Sequence, residues 1–375
     1  MKALTLLPLA LLSAQSYAVV NGTPVDWTQH DSTVRLDTTS NYLGHAYTGQ
    51  CTGTLIAGRY VITAAHCLER KGDVDTVVTA NGDSMTAAFE TFTNHPEHEN
   101  GAEWSVDAGL IPVERVEYSH VQFFANPNVD LIKGESIYVA GFGGTANDES
   151  PLQRADFSFK ESYWNTGNSF ITDTYIMYLD MVNNSHTTGG DSGSAWVNAD
   201  NEIVGIHTGS ASHVDWDADG NEIHWRETYA TNIPYIADWI LEQIDGWHYP
   251  TVAEVDGQST ITIQSLHMNN IDDNGFYVEG DASIISNTCN DVNPYEKCTI
   301  TVQSNGDEGA LILGTTNDGE EEVITINPPK DIPMIPITPP TGGNTGSNGG
   351  DSSGGSFGIF GLLGLAGLAL QRKRR

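Results

Sequence analysis

A serine between glycines, preceded by an acid, is the feature of this chain best suited to chemistry. It is Ser192, in the run Thr187–Ser194 that reads TTGGDSGS. Glycines permit the tight turn that presents an exposed hydroxyl, and they let a substrate approach the backbone closely. The backbone N–H groups of Gly190 and Ser192 could then converge on one point and stabilise an oxyanion. The run alone is also compatible with a surface turn, so its function depends on a base and an acid elsewhere.

A histidine suited to act as that base is His66. A serine hydroxyl is a weak nucleophile that needs a general base, which is usually histidine. His66 follows the β-rich run Tyr60–Thr63, and Cys51 and Cys67 stand on either side of a strand–turn–strand pattern. A disulfide between them would cross this hairpin and hold the backbone of His66. The neighbouring cysteine therefore favours a positioned base over a lone surface or core histidine.

The acid that orients this base is expected just before a buried strand. Asp107 directly precedes the apolar run Ala108–Ile111. Its carboxylate would accept a hydrogen bond from one nitrogen of His66 and fix the tautomer of the ring. Asp73 and Asp75 are competing candidates, but neither precedes a run of this kind.

The elements that must hold these residues are mostly short β-strands. Residues 19 to about 230 alternate β-rich runs with Gly, Asn and Asp turns, which is typical of an all-β barrel or sandwich. The clearest runs are Tyr60–Thr63, Ile137–Ala140 and Ile203–Ile206. Isoleucines then recur at helical spacing between Asn232 and Ile244, which predicts one closing amphipathic helix.

A second strand pattern, over residues 250–330, predicts a small β-sandwich domain. Its alternating runs are Ser259–Ile263, Cys298–Val302 and Glu322–Ile326. Cys289 and Cys298 could close one of its loops with a disulfide. No residue of this segment suggests catalysis.

Five motifs occur in the order and at the spacing of one known family. They are Val19–Gly22, Thr63–Cys67, Val106–Ile111, Ala140–Gly143 and Gly189–Gly193. Over residues 19 to about 244 the chain thereby resembles the trypsin/chymotrypsin-like serine endopeptidases. The resemblance implies an all-β fold of two six-stranded antiparallel β-barrels with a C-terminal helix and a catalytic site in the cleft between them. The protease domain would span residues 19–246, ahead of the sandwich at 250–330.

The resemblance also implies a role for each candidate residue. Ser192 would be the nucleophile, His66 the base and then the acid, and Asp107 the residue that orients His66. The amides of Gly190 and Ser192 would form the oxyanion hole. Such a hydrolase cleaves proteins or peptides through an acyl-enzyme intermediate and needs no cofactor. The alternative is a catalytically inactive homologue that acts as a surface adhesin or binding protein.

An activation pair follows from the same resemblance. In the family a freed amino terminus inserts and pairs with the aspartate beside the nucleophile, and the matching residues are Val19 and Asp191. Ala18 precedes Val19, and no Arg or Lys stands there. Cleavage of a signal peptide after Ala18 would therefore create the active terminus without a separate propeptide.

The substrate pocket is expected to contain His186, Thr187, His207 and Ser210. His186 stands where members with basic specificity carry an aspartate, so the usual counter-charge for Arg or Lys is absent. The pairing of Thr187 with His207 resembles the glutamyl endopeptidases and implies acidic residues before the scissile bond, because histidine and hydroxyls donate to carboxylates. Two alternatives stay open. One is a small or aromatic preference with His207 as a barrel-core histidine, and the other is a basic preference through Glu227.

The overall charge indicates which partners are excluded, and the first residues indicate where the protein is sent. With 16 basic and 49 acidic residues, the formal net charge is -33, which argues against nucleic-acid binding. Residues 1–18 read as a secretory signal peptide, with Lys2, the apolar stretch Ala3–Ala14 and the small-x-small site Ser16–Ala18. Export to an oxidising compartment favours pairing of the four cysteines.

The C-terminal segment reads as a linker followed by a sorting tail. Residues 331–353 are rich in Pro and then in Gly, Ser and Asn, which is a linker composition. Residues 354–375 contain a Gly-Gly pair, a short apolar segment and a basic end, and they resemble the GlyGly-CTERM sorting signal of Gram-negative bacteria. That resemblance implies type II secretion, contact with sorting machinery, transient membrane association and a secreted or surface-attached product. A simple C-terminal membrane anchor is the alternative.

An acidic insertion offers one candidate for metal binding. Asp215, Asp217 and Asp219 place acids at alternate positions before a glycine, as in a calcium loop. The glutamate expected at the last loop position is replaced by Arg226. An acidic hairpin turn is therefore the favoured interpretation, and no metal site is predicted.

Overall fold

The computed structural model describes residues 19–42, 45–100, 105–143, 152–162, 175–217, 219–272, 275–316 and 319–329. The predicted signal peptide, linker and sorting tail lie outside these residues. No helix in the described ranges is long and apolar enough to span a membrane. The described residues between 19 and 329 belong to one compact unit.

The first half of the predicted protease domain forms a sheet of seven strands. The elements are β1 (Thr23–Pro24), β2 (Thr33–Tyr42), β3 (His45–Ile56), β4 (Tyr60–Thr63), β5 (Thr76–Val78), β6 (Ser84–Thr86), β7 (Thr93–Asn94) and β8 (Gly109–Pro112), with short 3-10 helices at Trp27–His30, Ala65–Leu68 and Phe89–Thr91. The sheet order is β6-β5-β2-β3-β4-β8-β7, whereas β1 pairs in the second half. Val34, Leu36, Leu55, Val61 and Ile111 are fully buried in one core cluster. This core holds β3 and β4 in place, and β4 leads to the candidate base His66.

The second half closes into a barrel. Its strands are β9 (Phe123–Phe124), β10 (Ser136–Gly141), β11 (Gln153–Ser162), β12 (Ile176–Met181), β13 (Ala195–Val197), β14 (Glu202–Trp216) and β15 (Glu222–Asn232). The path β10-β13-β14-β15-β12 returns through β11 to β10, so six antiparallel strands form a closed ring. Phe157, Leu179 and Trp196 belong to the core cluster of this half.

The prediction of two closed six-stranded barrels is therefore met in part. The second half is closed, but within the described residues the first half is an open seven-stranded sheet. Its edge strands β6 and β7 have only three and two residues, and they do not pair with each other. The all-β class and the separation into two bodies agree with the prediction.

An α-helix, α1 (Ile233–Ile244), follows β15 at the position that the isoleucine spacing predicts. Pro234 stands in its first turn, where the missing N–H leaves no bond unmade. Asp245 ends the helix in the left-handed conformation, with φ at 41°. The apolar stripe of α1 packs with Ile62 and Phe142 in a cluster between the two β bodies, so the helix helps to hold them together.

The C-terminal part consists of two four-stranded sheets with a shared core, which meets the prediction of a small sandwich in part. Its strands are β16 (Trp247–His248), β17 (Val252–Ala253), β18 (Gly257–Ser265), β19 (Tyr277–Gly280), β20 (Ser283–Asn287), β21 (Lys297–Ser304), β22 (Gly309–Thr315) and β23 (Glu321–Ile326). The sheet orders are β16-β18-β21-β20 and β17-β23-β22-β19. Ile263, Ile300, Leu311 and Ile324 are fully buried between the sheets. The predicted Cys289–Cys298 disulfide is present.

Candidate active site

Two short hydrogen bonds join His66 to Asp107. His66 lies on the short 3-10 helix that follows β4, and Asp107 lies just before β8, which pairs with β4. Nδ1 of His66 lies 2.7 Å from one carboxylate oxygen of Asp107, and the backbone amide of His66 donates to the other oxygen at 2.8 Å. Because both oxygens are engaged, the carboxylate fixes the orientation of the ring and leaves Nε2 for another partner.

Burial makes this pair electrostatically strong. The side chain of Asp107 is 5% exposed, whereas that of His66 is 40% exposed. Burial lowers the pKa of His66, but the hydrogen bond and the charge of Asp107 outweigh this effect, and the pKa is raised above 6.5. The imidazolium that forms when the ring accepts a proton is therefore stabilised.

The predicted Cys51–Cys67 disulfide is present beside the ring. One ring nitrogen of His66 and the two sulfur atoms lie within 4.8 Å of one another. In the described part of the chain this is the sole cluster of three or more potential metal ligands from His, Cys, Asp and Glu. Its sulfur atoms are bonded to each other, so they offer no thiolate to a metal. The cluster braces the backbone around His66.

Thr52, next to Cys51, fastens the serine turn to the first sheet. Its amide donates to the carbonyl oxygen of Ser192 at 2.8 Å, and its hydroxyl donates to the carbonyl of Gly190 at 2.9 Å. The same hydroxyl accepts the amide of Phe142 at 3.2 Å. A sequence pattern offers no signal for this role, because Thr52 lies 138 residues from Gly190.

Gly193 lets the serine turn pack against the strand that leads to His66. A Cβ atom at Gly193 would lie 2.0 Å from the hydroxyl oxygen of Thr63 and 2.2 Å from the carbonyl oxygen of Thr52. Its φ of +84° also favours glycine. Close contact between the turn and the end of β4 thus brings Ser192 to the side of the molecule that carries His66.

The amides of Gly190 and Ser192 are free to act together. Neither amide donates a hydrogen bond to another described residue. The carbonyl of Gly190 is held by Thr52, and its φ is +107°. The peptide group between Gly190 and Asp191 is thus held at its carbonyl by Thr52 and at its amide by the carbonyl of Thr188, at 3.1 Å. The amides on either side of it, those of Gly190 and Ser192, remain two unpaired donors in one turn.

Asp191 is fully buried, and its partners come from three segments. Its carboxylate accepts the amides of Gly143 and Thr188, both at 2.8 Å, and its pKa is affected by a hydrogen bond from the backbone of Val19. Burial raises the pKa of Asp191 to about 6, against the lowering effect of these donors. Val19 is itself fully buried. The structure thus brings together the two residues of the predicted activation pair.

The residues predicted for the pocket do not all face one space. Thr187 is fully buried, and its carbonyl accepts the hydroxyl of Ser210 at 3.3 Å. His186 forms an isolated bridge with Val20 and is partly exposed. The segment before Ser192 therefore lies between the amino-terminal residues on one side and β14 on the other.

His207 is a buried barrel histidine whose nitrogens already have partners. Its Nδ1 accepts the indole N–H of Trp196 at 3.3 Å, and the two rings stack. Burial lowers the pKa of His207 to about 3, with a smaller contribution from the charge of His66, while the backbone of Tyr229 acts as a hydrogen-bond partner. This neutral ring has no donor left for a substrate carboxylate. Its geometry agrees with the core-histidine alternative rather than with a substrate-binding role.

Glu227 and the acidic insertion are also placed away from the residues predicted for the substrate pocket. Glu227 pairs with His213 at 3.1 Å across the β14–β15 hairpin. Asp217 lies in the turn of the hairpin, where its carboxylate accepts the amides of Asp219 and Asn221. The insertion is therefore a hairpin turn, as the sequence favours. Asp215 accepts the indole N–H of Trp225 instead.

Two residues that sequence reasoning did not single out complete the site. Thr52 is described above, and Thr231 accepts the backbone amide of Asp107 at 3.1 Å through its hydroxyl. Thr231 lies in β15, 124 residues from Asp107. Neither position carries a local signal, because each role depends on the docking of the two β bodies.

Comparison with known proteins finds one family model and several related proteins. The family model described as Trypsin matches residues 19–240. Brachyurin from Leptuca pugilator is 25% identical over 205 residues, which cover 52% of this chain and 87% of brachyurin. The VesB protease of Vibrio cholerae is similar in structure, with 20% identity and a TM-score of 0.42 over 83% of this chain and 100% of VesB. The secreted serine protease VesC of the same organism has 16% identity and a TM-score of 0.42, covering 81% of this chain and 70% of VesC.

Proposed function

The chain belongs to the trypsin family and is a serine endopeptidase, and from that premise we propose that Ser192, His66 and Asp107 carry out its chemistry. The observation that carries the proposal is the bidentate hold of Asp107 on His66, through Nδ1 at 2.7 Å and the amide at 2.8 Å. With Nδ1 bound to the carboxylate, Nε2 is the atom that removes the proton of Ser192. The hydroxyl oxygen then attacks the carbonyl carbon of the scissile peptide bond.

The remaining steps follow from the same groups. The free amides of Gly190 and Ser192 donate to the oxyanion of the tetrahedral intermediate. The imidazolium of His66 gives its proton to the leaving amine, which completes the acyl-enzyme. Water, deprotonated by His66, then attacks the acyl carbon and releases the carboxylic acid product.

Irreversible labelling tests this assignment. An organophosphonate should attach to Ser192 in the correctly processed protein, as detected by intact mass, and the Ser192→Ala variant should remain unlabelled. Asp107→Asn should lower the labelling rate and kcat by on the order of 10⁴, because the side chain no longer holds the His66 ring in the tautomer that accepts a proton at Nε2 and no longer supplies a negative charge beside it. A processed protein that is folded but takes up no label would support the adhesin or binding-protein alternative instead.

Activation is proposed to need only removal of the signal peptide. Cleavage after Ala18 would give Val19 an ammonium group beside the buried Asp191 carboxylate, and such a pair is favourable only when both charges are present. The bridge between Val20 and His186 supports an inserted amino-terminal segment. N-terminal sequencing of the secreted protein should read from Val19, and a start upstream, such as at Gln15, would disprove this route.

Export and surface sorting are proposed from the sequence alone. Residues 1–18 and 354–375 have the signal-peptide and GlyGly-CTERM patterns, which together imply type II secretion in a Gram-negative bacterium and transient membrane association. Mass spectrometry of the mature C-terminus should show loss of the tail after sorting. An intact tail on a membrane-bound protein would identify a simple anchor.

A further inference from the structure

His98 is a buried histidine outside the proposed catalytic triad. Its side chain is 4% exposed, and its Nε2 atom is shut off from solvent. It lies in the turn after β7, where its backbone amide donates to the carbonyl of His95 at 2.9 Å. β7 pairs with β8, the strand that Asp107 precedes. The fold therefore brings this ring to the segment that presents the proposed orienting acid.

Each nitrogen of the His98 ring faces oxygen atoms. Nδ1 lies 3.1 Å from the carbonyl oxygen of Val106 and 3.3 Å from the hydroxyl oxygen of Ser105. Nε2 lies 3.3 Å from a carboxylate oxygen of Glu69, a charge contact rather than an aligned hydrogen bond. A carbonyl and a carboxylate only accept hydrogen bonds. A ring with hydrogen on both nitrogens therefore links the two oxygens.

These two oxygens belong to the segments that carry the proposed base and acid. Glu69 ends the short 3-10 helix on which His66 lies, and Val106 directly precedes Asp107. The side chain of Glu69 is 12% exposed. The contact with His98 thus lies largely out of water, where charge interactions are stronger than on the surface. One ring is in contact with both segments.

Packing at Gly109, in β8, shows how closely these segments meet. A Cβ atom at Gly109 would lie 2.6 Å from the amide oxygen of Asn94 in β7. It would also lie 2.7 Å from the side chain of Leu68, on the 3-10 helix of the base. Glycine permits this close approach. A displacement of the turn after β7 would therefore be passed on to both β8 and the helix.

We propose that His98 and Glu69 are positioning residues that hold His66 at its working distance from Asp107. This inference rests on the proposed function and adds two residues to it. They act through the backbone of Val106 and through the 3-10 helix. The bond that they support is only 2.7 Å long. A displacement of about 1 Å at such a site can lower the rate by on the order of 10².

The carboxylate of Glu69 also acts on His66 through space. Burial lowers the pKa of His66, whereas the hydrogen bond and the charge of Asp107 raise it. The charges of Glu69 and Asp73 add smaller raising effects on the same pKa. Holding Glu69 in place therefore also holds one of the charges that set the pKa of the base. A contact that only stabilised the fold would not move the pH profile.

His98→Phe tests the proposal, because it keeps an aromatic ring and removes both nitrogens. In the full mature protein, organophosphonate labelling of Ser192 and kcat for a peptide amide should fall about 10- to 100-fold, with little change in KM. His98→Gln retains one donor and should recover part of this loss. His95→Phe is the matched control, because the ring of His95 packs edge-on against Trp239 instead. It should keep the wild-type labelling rate.

Glu69→Gln tests the charge separately from the packing. The acid limb of the pH profile of kcat/KM should move to lower pH, because a negative charge that raises the pKa of His66 is lost. His95→Phe should leave this limb unchanged. Because the two positioning residues act as one unit, adding Glu69→Gln to His98→Phe should cause little further loss of rate.

Three results would overturn the assignment. Wild-type labelling rates in both His98→Phe and Glu69→Gln would remove the positioning role, although the catalytic proposal would stand. Fully additive losses in the double variant would show that the two residues do not act as a pair. If His98→Phe does not fold, His98→Gln and Glu69→Gln decide, and wild-type rates with an unmoved acid limb in both reject the pair. Absence of labelling in wild type would instead reject the catalytic proposal.

Discussion

Thr52 provides the sharpest test of how the serine turn is held. Its side chain is fully buried, and its hydroxyl both donates to the carbonyl of Gly190 and accepts the amide of Phe142. Valine has nearly the same shape but makes neither bond. Thr52→Val therefore leaves two buried backbone groups unpaired, and each unmade bond costs about 1–3 kcal/mol. We expect the free energy of unfolding to fall by about 2–6 kcal/mol.

The same change should affect catalysis more than substrate binding. The hydrogen bond from the Thr52 hydroxyl to the carbonyl of Gly190 holds this residue in place. The amide of Gly190 is one of the two proposed to stabilise the oxyanion. Loss of one oxyanion donor lowers kcat by on the order of 10² to 10³. A pre-steady-state burst with an activated ester measures acylation directly, and KM for the same ester should change little.

Thr54 is the matched control for this experiment. It lies two residues along the same strand and is equally buried, but its hydroxyl oxygen has no hydrogen-bond partner. Thr54→Val should leave acylation unchanged, and it should leave stability unchanged or raise it, because an unpaired buried hydroxyl is replaced by a methyl group. Equal effects of Thr52→Val and Thr54→Val on acylation would refute the reasoning, as would wild-type acylation in Thr52→Val.

Three further predictions concern packing, the disulfide and pH. Gly193→Ala should abolish acylation, because the new Cβ would lie 2.0 Å from a hydroxyl oxygen. Gly220→Ala is the control: its φ of +82° is similar but no atom lies within 4 Å, so it should cost only about 1 kcal/mol of backbone strain. Denaturant unfolding and burst kinetics compare the two variants. Replacing both cysteines of the Cys51–Cys67 pair by alanine should lower the free energy of unfolding by about 3 kcal/mol, and a reductant should then have no additional effect on this part of the molecule. The acid limb of the pH profile of kcat/KM should have its midpoint above pH 6.5, because the base must be neutral and the pKa of His66 is raised. Asp107→Asn should move the midpoint to lower pH, because it removes the carboxylate that raises the pKa of His66. A wild-type midpoint below 6.5 would contradict this.

Much of the site follows from local sequence because the proposed base and the proposed orienting acid each stand near the end of a buried strand. His66 follows β4 after Ala64 and Ala65, Asp107 is separated from β8 by Ala108 alone, and these two strands pair. The apolar runs that mark such strands are visible in the sequence, as is the isoleucine stripe of α1. Local hydrophobic pattern therefore predicts both the presence of these residues and their neighbourhood.

What sequence reasoning could not supply depends on pairing between distant strands. The role of His207 is decided by Trp196 and by the backbone of Tyr229, which surround its ring. The separation of Arg226 from Glu227 depends on the register of the β14–β15 hairpin, since a shift of one residue would exchange their faces. Motif comparison alone cannot distinguish these faces, because strand register is set by contacts between residues far apart in the sequence.

The C-terminal sandwich is part of the same mechanical unit as the catalytic half. His248, in β16, is fully buried and accepts the amide of Ala57, in the turn that joins β3 to β4, at 3.1 Å. A Cβ on Gly58 in that turn would approach the side chain of Thr251 to 2.5 Å, so the contact is close. β3 carries Thr52, and β4 leads to His66. The first residues of the sandwich thus fix the connection between the strand that holds the serine turn and the strand that positions the base, which makes the sandwich a brace for the catalytic geometry rather than a loosely attached module.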